Sequence, residues 1–134
     1  SDANRSSMIR IPATRGSSTR TEIRCVDAAA NPYLALAGIL AAGLDGIMHV
    51  KDNELVPPVY DNIFSLSADQ RAAQGIPNMP DNLHEAIQEF KADPLMKEVL
   101  GDHAFGKYVE VKEIEWDEYR TQVTPQEIAR YLAK

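Results

Sequence analysis

The sequence predicts an α+β chain, a short two-stranded β segment followed by a mainly helical part. Two local patterns and one junction predict it. Residues 20–25 alternate charged and uncharged side chains with the period of two expected of a strand, and residues 6–11 offer a neighbouring strand. From Asn31 onward, apolar residues recur at helical spacing behind recognisable cap signals. Between the two strand segments, residues 12–18 supply the proline, glycine and serines of a connecting loop.

The strands are expected at 6–11 and 19–26, within a segment covering 1–27. Two strands are marginal alone in water, and one face here is charged, so they need more sheet than the remaining residues offer. The chain is therefore expected to be a piece of something larger. Cys25 falls opposite the charged positions and reads as a core residue.

The helical part is expected over 31–134. Asn31-Pro32 is a helix start, with asparagine as cap and proline where its missing donor costs nothing. The helix that follows is apolar on every side through Leu44, which implies burial all round. Gly46 is its expected stop. Its uncharged run falls short of the ~20 residues that span a bilayer.

An irregular excursion is expected at 49–80, punctuated by Pro57-Pro58, Pro77 and Pro80, with one short helix opened by the capping box Ser67 to Gln70. Asp81 is the expected cap of a helix whose Leu83, Ala86, Ile87 and Phe90 share a face. Asp93-Pro94 opens another short one. Phe105, Tyr108, Val109, Trp116 and Tyr119 form a stripe that reads as core or subunit contact rather than a cofactor box. Thr124 to Glu127 is a second capping box, opening a terminal helix that presents Ile128, Tyr131 and Leu132. Such a short helix needs something to pack against, and another subunit could supply it.

Composition excludes several classes of function. With 134 residues, the chain has a one-domain length. A net charge of −6 and a pI near 5.0 argue against general nucleic-acid or anionic-membrane binding, which need a basic surface. The single cysteine cannot form an internal disulfide, and no basic, apolar signal peptide opens the chain, so a cytoplasmic, reducing compartment is expected. His49, His84 and His103 are not at metal-ligand spacing. Asn4-Arg5-Ser6 matches a glycosylation acceptor, a pattern without meaning in the cytosol.

Charge is nevertheless segregated. Five of the eight arginines lie at positions 5, 10, 15, 20 and 24, and three acids accompany them through Asp27. The remainder carries nine bases against seventeen acids. On a strand, Arg20, Glu22 and Arg24 would line one face at roughly 6.6 Å spacing. Arginine suits phosphate and carboxylate because its planar fork donates paired hydrogen bonds and stays charged. A glutamate among arginines becomes useful to a phosphate if it holds a bridging divalent cation. A solvated face with diagonal ion pairs would show the same alternation.

The wording of this region is more specific than its pattern. Asn4-Arg5-Ser6, Ile9-Arg10-Ile11-Pro12, Arg20-Thr21-Glu22-Ile23-Arg24, the run from Asp27 to Tyr33, and Ala42-Gly43-Leu44-Asp45-Gly46-Ile47 resemble, in order and spacing, the C-terminal part of the catalytic domain of glutamine synthetase, bacterial type I. Lys112 to Asp117 and Tyr119 to Val123 also resemble Gram-positive members. The resemblance extends through essentially the whole chain.

It implies an ATP-dependent ligase that phosphorylates the side-chain carboxylate of glutamate and lets ammonia displace phosphate. By the same resemblance, Glu22 matches a ligand of Mg²⁺ or Mn²⁺, and Arg24 matches the arginine near glutamate and the transferred phosphate. Arg5 matches one that stabilises charge in phosphoryl transfer, and Arg5, Arg10 and Arg20 match contacts to ATP. The family also implies a cytoplasmic homo-oligomer, a dodecamer whose terminal helix reaches the opposing ring. Phe64 takes the place of a tyrosine that enteric relatives modify with AMP. The family's other metal ligands, its main glutamate loop and its flap precede the first residue here, which implies an inactive isolated chain. Two alternatives stay open: a relative joining glutamate to a larger amine, and a noncatalytic module binding phosphate ligands or a ligase subunit.

Overall fold

The computed structural model describes residues 4–49, 51 and 55–132. The chain forms two compact units, one through Asn78 and the other from Met79. Parts of the expected excursion, Val50 and 52–54, lie outside the described residues, as do 1–3 and 133–134.

The first unit begins with two antiparallel strands, β1 (Ile9–Arg10) and β2 (Glu22–Ile23), in the register Ile9 to Ile23 and Arg10 to Glu22. Both are shorter than expected. A strand ends where its ladder finds no partner, and only one further backbone bond, Arg24 N–H to the Met8 carbonyl at 2.9 Å, extends this one. The loop is closed by Arg15, whose guanidinium donates to the Pro12 carbonyl at 2.6 Å. Cys25 is exposed, so the expectation of a core cysteine is corrected for this chain.

Helix α1 (Pro32–His49) starts where expected, with Asn31 Oδ1 accepting from the Tyr33 and Leu34 amides at 3.0 and 3.3 Å. It runs past the expected stop, because Gly46 does not take the positive φ that ends a helix. Asp45 and His49, one turn apart, pair at 2.9 Å in the added turn. By length and composition α1 is long and apolar enough to cross a membrane, with 18 residues and a mean hydropathy of 1.2. Its acidic and imidazole groups would be costly there, whereas a protein surface can accommodate both. Burial all round is not met within this chain: no residue of α1 is buried, and Leu40 and Ile47 are 64% and 82% exposed.

The excursion carries more structure than its prolines suggest. Asn62 caps a single 3₁₀ turn, Ile63–Ser65, and α2 (Ala68–Ala73) has the full capping box of Ser67 and Gln70. Gly75, at φ 66°, ends α2 in a Schellman motif, with the Ile76 amide on the Arg71 carbonyl and the Gly75 amide on that of Ala72, each at 3.0 Å.

In the second unit, α3 (Leu83–Ala92) packs on α4 (Pro94–Arg120). Asn82, not Asp81, caps α3, its Oδ1 accepting from the Glu85 amide at 3.0 Å. Asp93 caps α4 through the Leu95 amide at 2.9 Å. The expected short helix from Pro94 is present as the first part of α4 and ends at Gly101, whose φ of 72° and ψ of 158° only glycine adopts without strain; a second helical segment continues to Arg120. Beyond that break, the aromatic stripe builds the seam: Phe90 stacks on Phe105 at 5.1 Å and meets Tyr108 at 5.3 Å. His84, not at metal-ligand spacing, stacks on Trp116 at 6.0 Å. Among the described residues, Ile87 and Val109 are the buried hydrophobic side chains. The terminal capping box of Thr124 and Glu127 opens α5 (Pro125–Glu127), which passes into π-type turns over Ile128–Leu132.

Candidate functional site

The pairing of β1 with β2 decides which charges meet. In an antiparallel ladder, residues directly opposite share a face, and the register puts Arg10 opposite Glu22. Arg10 Nη1 donates to Glu22 Oε2 at 2.7 Å. From the same chain, Arg20 approaches the other carboxylate oxygen, with Nε at 2.9 Å and Nη2 at 2.7 Å from Oε1. Glu22 therefore stands between two arginines, but they are Arg10 and Arg20 rather than Arg20 and Arg24.

Arg20 is aimed by the loop. Its Nη1 donates to the Ser18 carbonyl at 3.2 Å and to Thr14 Oγ1 at 3.4 Å. Arg24 turns elsewhere, its guanidinium donating to the backbone carbonyl of Arg5. The even spacing of three charges along one strand face is not met: Arg20 and Arg24 both flank the two residues of β2, and their side chains take different partners. Of the five expected site residues, the fold brings Arg10, Arg20 and Glu22 into contact and joins Arg5 to Arg24.

The electrostatics follow from these contacts. The hydrogen bond from Arg10, then that from Arg20, holds the Glu22 carboxyl below its ordinary pKa. Its side chain is 28% exposed and that of Arg20 is 50% exposed, so water screens the ion pairs and they add little stability. Beside that pairing, the Arg20 guanidinium stays open to solvent. That suits an anion able to accept from planar N–H pairs, such as phosphate.

A divalent cation is a different matter. Mg²⁺ requires near-octahedral oxygen coordination, and among the described residues no group of three or more metal-binding side chains exists. Both oxygens of Glu22 already accept from arginine. The described residues do not by themselves fit a divalent metal site.

Asn4 and Ser6 were missed in the sequence. Asn4 is the only buried polar residue among those described. Its amide joins the segment around Arg5 to the backbone of Val59 and Asp61. The Asn-Arg-Ser wording was visible, but the partners lie 55 and 57 residues away. One cavity of about 190 Å³ is lined by Ile87, Phe90 and Tyr108 among others, and another of about 450 Å³, between the 56–61 and 74–77 segments, is lined in part by Val59 and Asp61.

A family model described as glutamine synthetase, catalytic domain, matches residues 1–131. The chain is 50% identical over 133 residues to a glutamine synthetase of Clostridium saccharobutylicum, covering 98% of this chain and 29% of that protein. It is 52% identical to one from Methanosarcina mazei, covering 97% of this chain and 29% of the relative. For a Staphylococcus aureus glutamine synthetase the identity is 47%, with 98% and 29% covered. A solved structure of apo GmaS without ligand superposes with a TM-score of 0.67 at 34% identity, covering 96% of this chain and 28% of that one. The chain thus spans less than a third of the length of each of these relatives.

Proposed function

The chain belongs to the glutamine synthetase catalytic-domain family, and from that premise we propose that it forms the C-terminal part of an ATP-dependent glutamate–ammonia ligase. In the whole enzyme, the γ-carboxylate of glutamate attacks the terminal phosphorus of ATP. The bond to ADP breaks, and γ-glutamyl phosphate forms. Ammonia then adds at the activated carbonyl carbon, phosphate leaves, and a proton is lost to give glutamine.

The observation that carries this reading is the placement of Arg10 and Arg20 on the two oxygens of Glu22. Phosphoryl transfer is catalysed mainly by positioning and by positive charge around the equatorial oxygens. Arg10 and Arg20 hold the phosphates of ATP. Arg5 contributes to the same anion and stabilises charge during transfer, and Arg24 serves glutamate and the transferred phosphate. Glu22 supplies one ligand to a divalent ion, Mg²⁺ or Mn²⁺, whose other ligands come from elsewhere in the enzyme. When bound, such an ion neutralises phosphate charge. Without the ion, Glu22 holds Arg10 through one carboxylate oxygen and Arg20 through the other.

The uncovered faces support incompleteness. Leu36, Leu40 and Leu44 of α1 are 57%, 64% and 59% exposed, as befits a helix whose partners lie outside the chain. Ile128, Tyr131 and Leu132 at the other end are exposed as well and suit a subunit contact in a cytoplasmic homo-oligomer, a dodecamer in its family form. Phe64, 82% exposed, offers no hydroxyl for nucleotidylation, so mass spectrometry should find no AMP on residues 57–66.

Purified residues 1–134, supplied with glutamate, ammonia and Mg-ATP, should form no glutamine, whereas the longer enzyme containing them should. Glutamine formation by the isolated chain would contradict its incompleteness. A longer enzyme that turned over neither ATP nor glutamate would favour the noncatalytic module.

A further inference from the structure

In a chain with so few buried residues, the one buried polar side chain among those described is Asn4, 8% exposed. It is not itself a charged member of the site. Burying an amide is unfavourable unless its hydrogen-bonding groups are satisfied. Asn4 satisfies them in two directions. Its Nδ2 donates to the carbonyls of Val59 at 3.1 Å and Asp61 at 2.8 Å. Its Oδ1 accepts from the Ser6 amide at 2.9 Å and the Ser6 hydroxyl at 2.6 Å. Two donors and two lone pairs are the capacity of an amide. Ser6 Oγ in turn accepts from the Ile63 amide at 2.9 Å, closing a loop of bonds between the 4–6 and 59–63 backbones.

Arg5 lies between the two pinned residues, and its carbonyl receives the Arg24 guanidinium. We infer that Asn4 and Ser6 are positioning residues, a clasp that fixes the Arg5 backbone, and with it Arg24, by tying it to the 59–63 segment. The inference deepens the ligase reading and rests on it for the roles of the two arginines. Neither clasp residue touches substrate. Their effect passes through Arg5, so loosening the clasp should slow the chemical step more than it weakens ground-state binding.

Asn4→Ala removes the whole junction, and Ser6→Ala removes only the hydroxyl. Ser6→Thr keeps a hydroxyl and serves as the rescue. All three belong in the enzyme that contains this segment, with two readouts. In steady-state kinetics, Asn4→Ala and Ser6→Ala should each lower kcat at least about tenfold with KM for glutamate and ATP within about threefold, while Ser6→Thr stays near wild type. In amide hydrogen exchange, Ile63 should lose protection in both alanine variants and keep it in Ser6→Thr. Unchanged kcat in both alanine variants overturns the inference, as does a Ser6→Thr variant no better than Ser6→Ala. If the unaltered enzyme makes no glutamine, the ligase reading fails, and exchange at Ile63 judges the clasp alone. Unchanged Ile63 exchange in the alanine variants then overturns it.

Discussion

Replacing Ile87 by alanine tests whether the α3–α4 seam is what holds the second unit together. Ile87 is 4% exposed, and Val109 is the other buried apolar residue. The substitution removes three carbons, about 2.4 kcal/mol of transfer free energy at ~0.8 kcal/mol per buried methylene. A cavity term adds to this, for a total of about 2–5 kcal/mol. The upper half of that range applies because Ile87 already borders a cavity of about 190 Å³, so its neighbours are poorly placed to close the gap. A unit of this size is expected to hold only ~3–8 kcal/mol in all. The assay is built in: Trp116 is the single tryptophan of the chain and stacks on His84 across the same seam. Urea unfolding followed by its fluorescence should move to a midpoint lower by roughly 3.5 M, given a slope near 1 kcal/mol per M, or show the unit already unfolded without urea where its starting stability is no larger than the loss. Ile114→Ala, at a site 53% exposed, should change stability by only about 0.5 kcal/mol. Equal shifts for the two variants would refute the assignment of the core to this seam.

Two further outcomes follow from local geometry. Because the folded pKa of Glu22 is lowered by its bonds to Arg10 and Arg20, the pairing contributes fully above the ordinary carboxylate pKa and is lost as pH falls through the lower folded value. Carbon NMR of the glutamate carboxyls should show that low midpoint and its rise in Arg10→Ala; a wild-type midpoint at or above the ordinary range contradicts the pairing. At Gly101, an added Cβ meets nothing within 4 Å, so only the backbone decides the effect of Gly101→Ala. Strain of about 1–3 kcal/mol outweighs the ~0.4–1 kcal/mol gained by stiffening the unfolded chain. The variant should unfold at lower urea, and stabilisation would mean that α4 runs straight in solution.

What could be read in advance was what is local. The caps at Asn31, Ser67 and Thr124 bond within two or three residues, so their signals survive without knowledge of the fold. Asp81 lost to Asn82 by one position, the ordinary precision of a boundary read from sequence. The site was legible as a set of residues but not as a set of pairs. Arg10 meets Glu22 only through register, and Arg24 turns to a backbone carbonyl 19 residues away. Asn4 was illegible as a structural residue because its partners are set by the path of the proline-rich segment. The short helix opened by Asp93-Pro94 was legible from its cap, but its end at Gly101 was not, because an isolated glycine within a helical pattern is compatible with a continuous helix. For α1, the apolar pattern foretold burial, whereas the structure buries none of its residues.

The central claim is that the strand pair is a working wall of a phosphoryl-transfer site. Its most direct test is the rate of glutamate-dependent ADP formation by the longer enzyme, unaltered and with Arg10→Ala, Arg20→Ala or Glu22→Gln. Loss of about 100-fold or more in each variant, with the protein still folded, is the predicted result. Rates within a few-fold of the unaltered enzyme in all three would contradict the account.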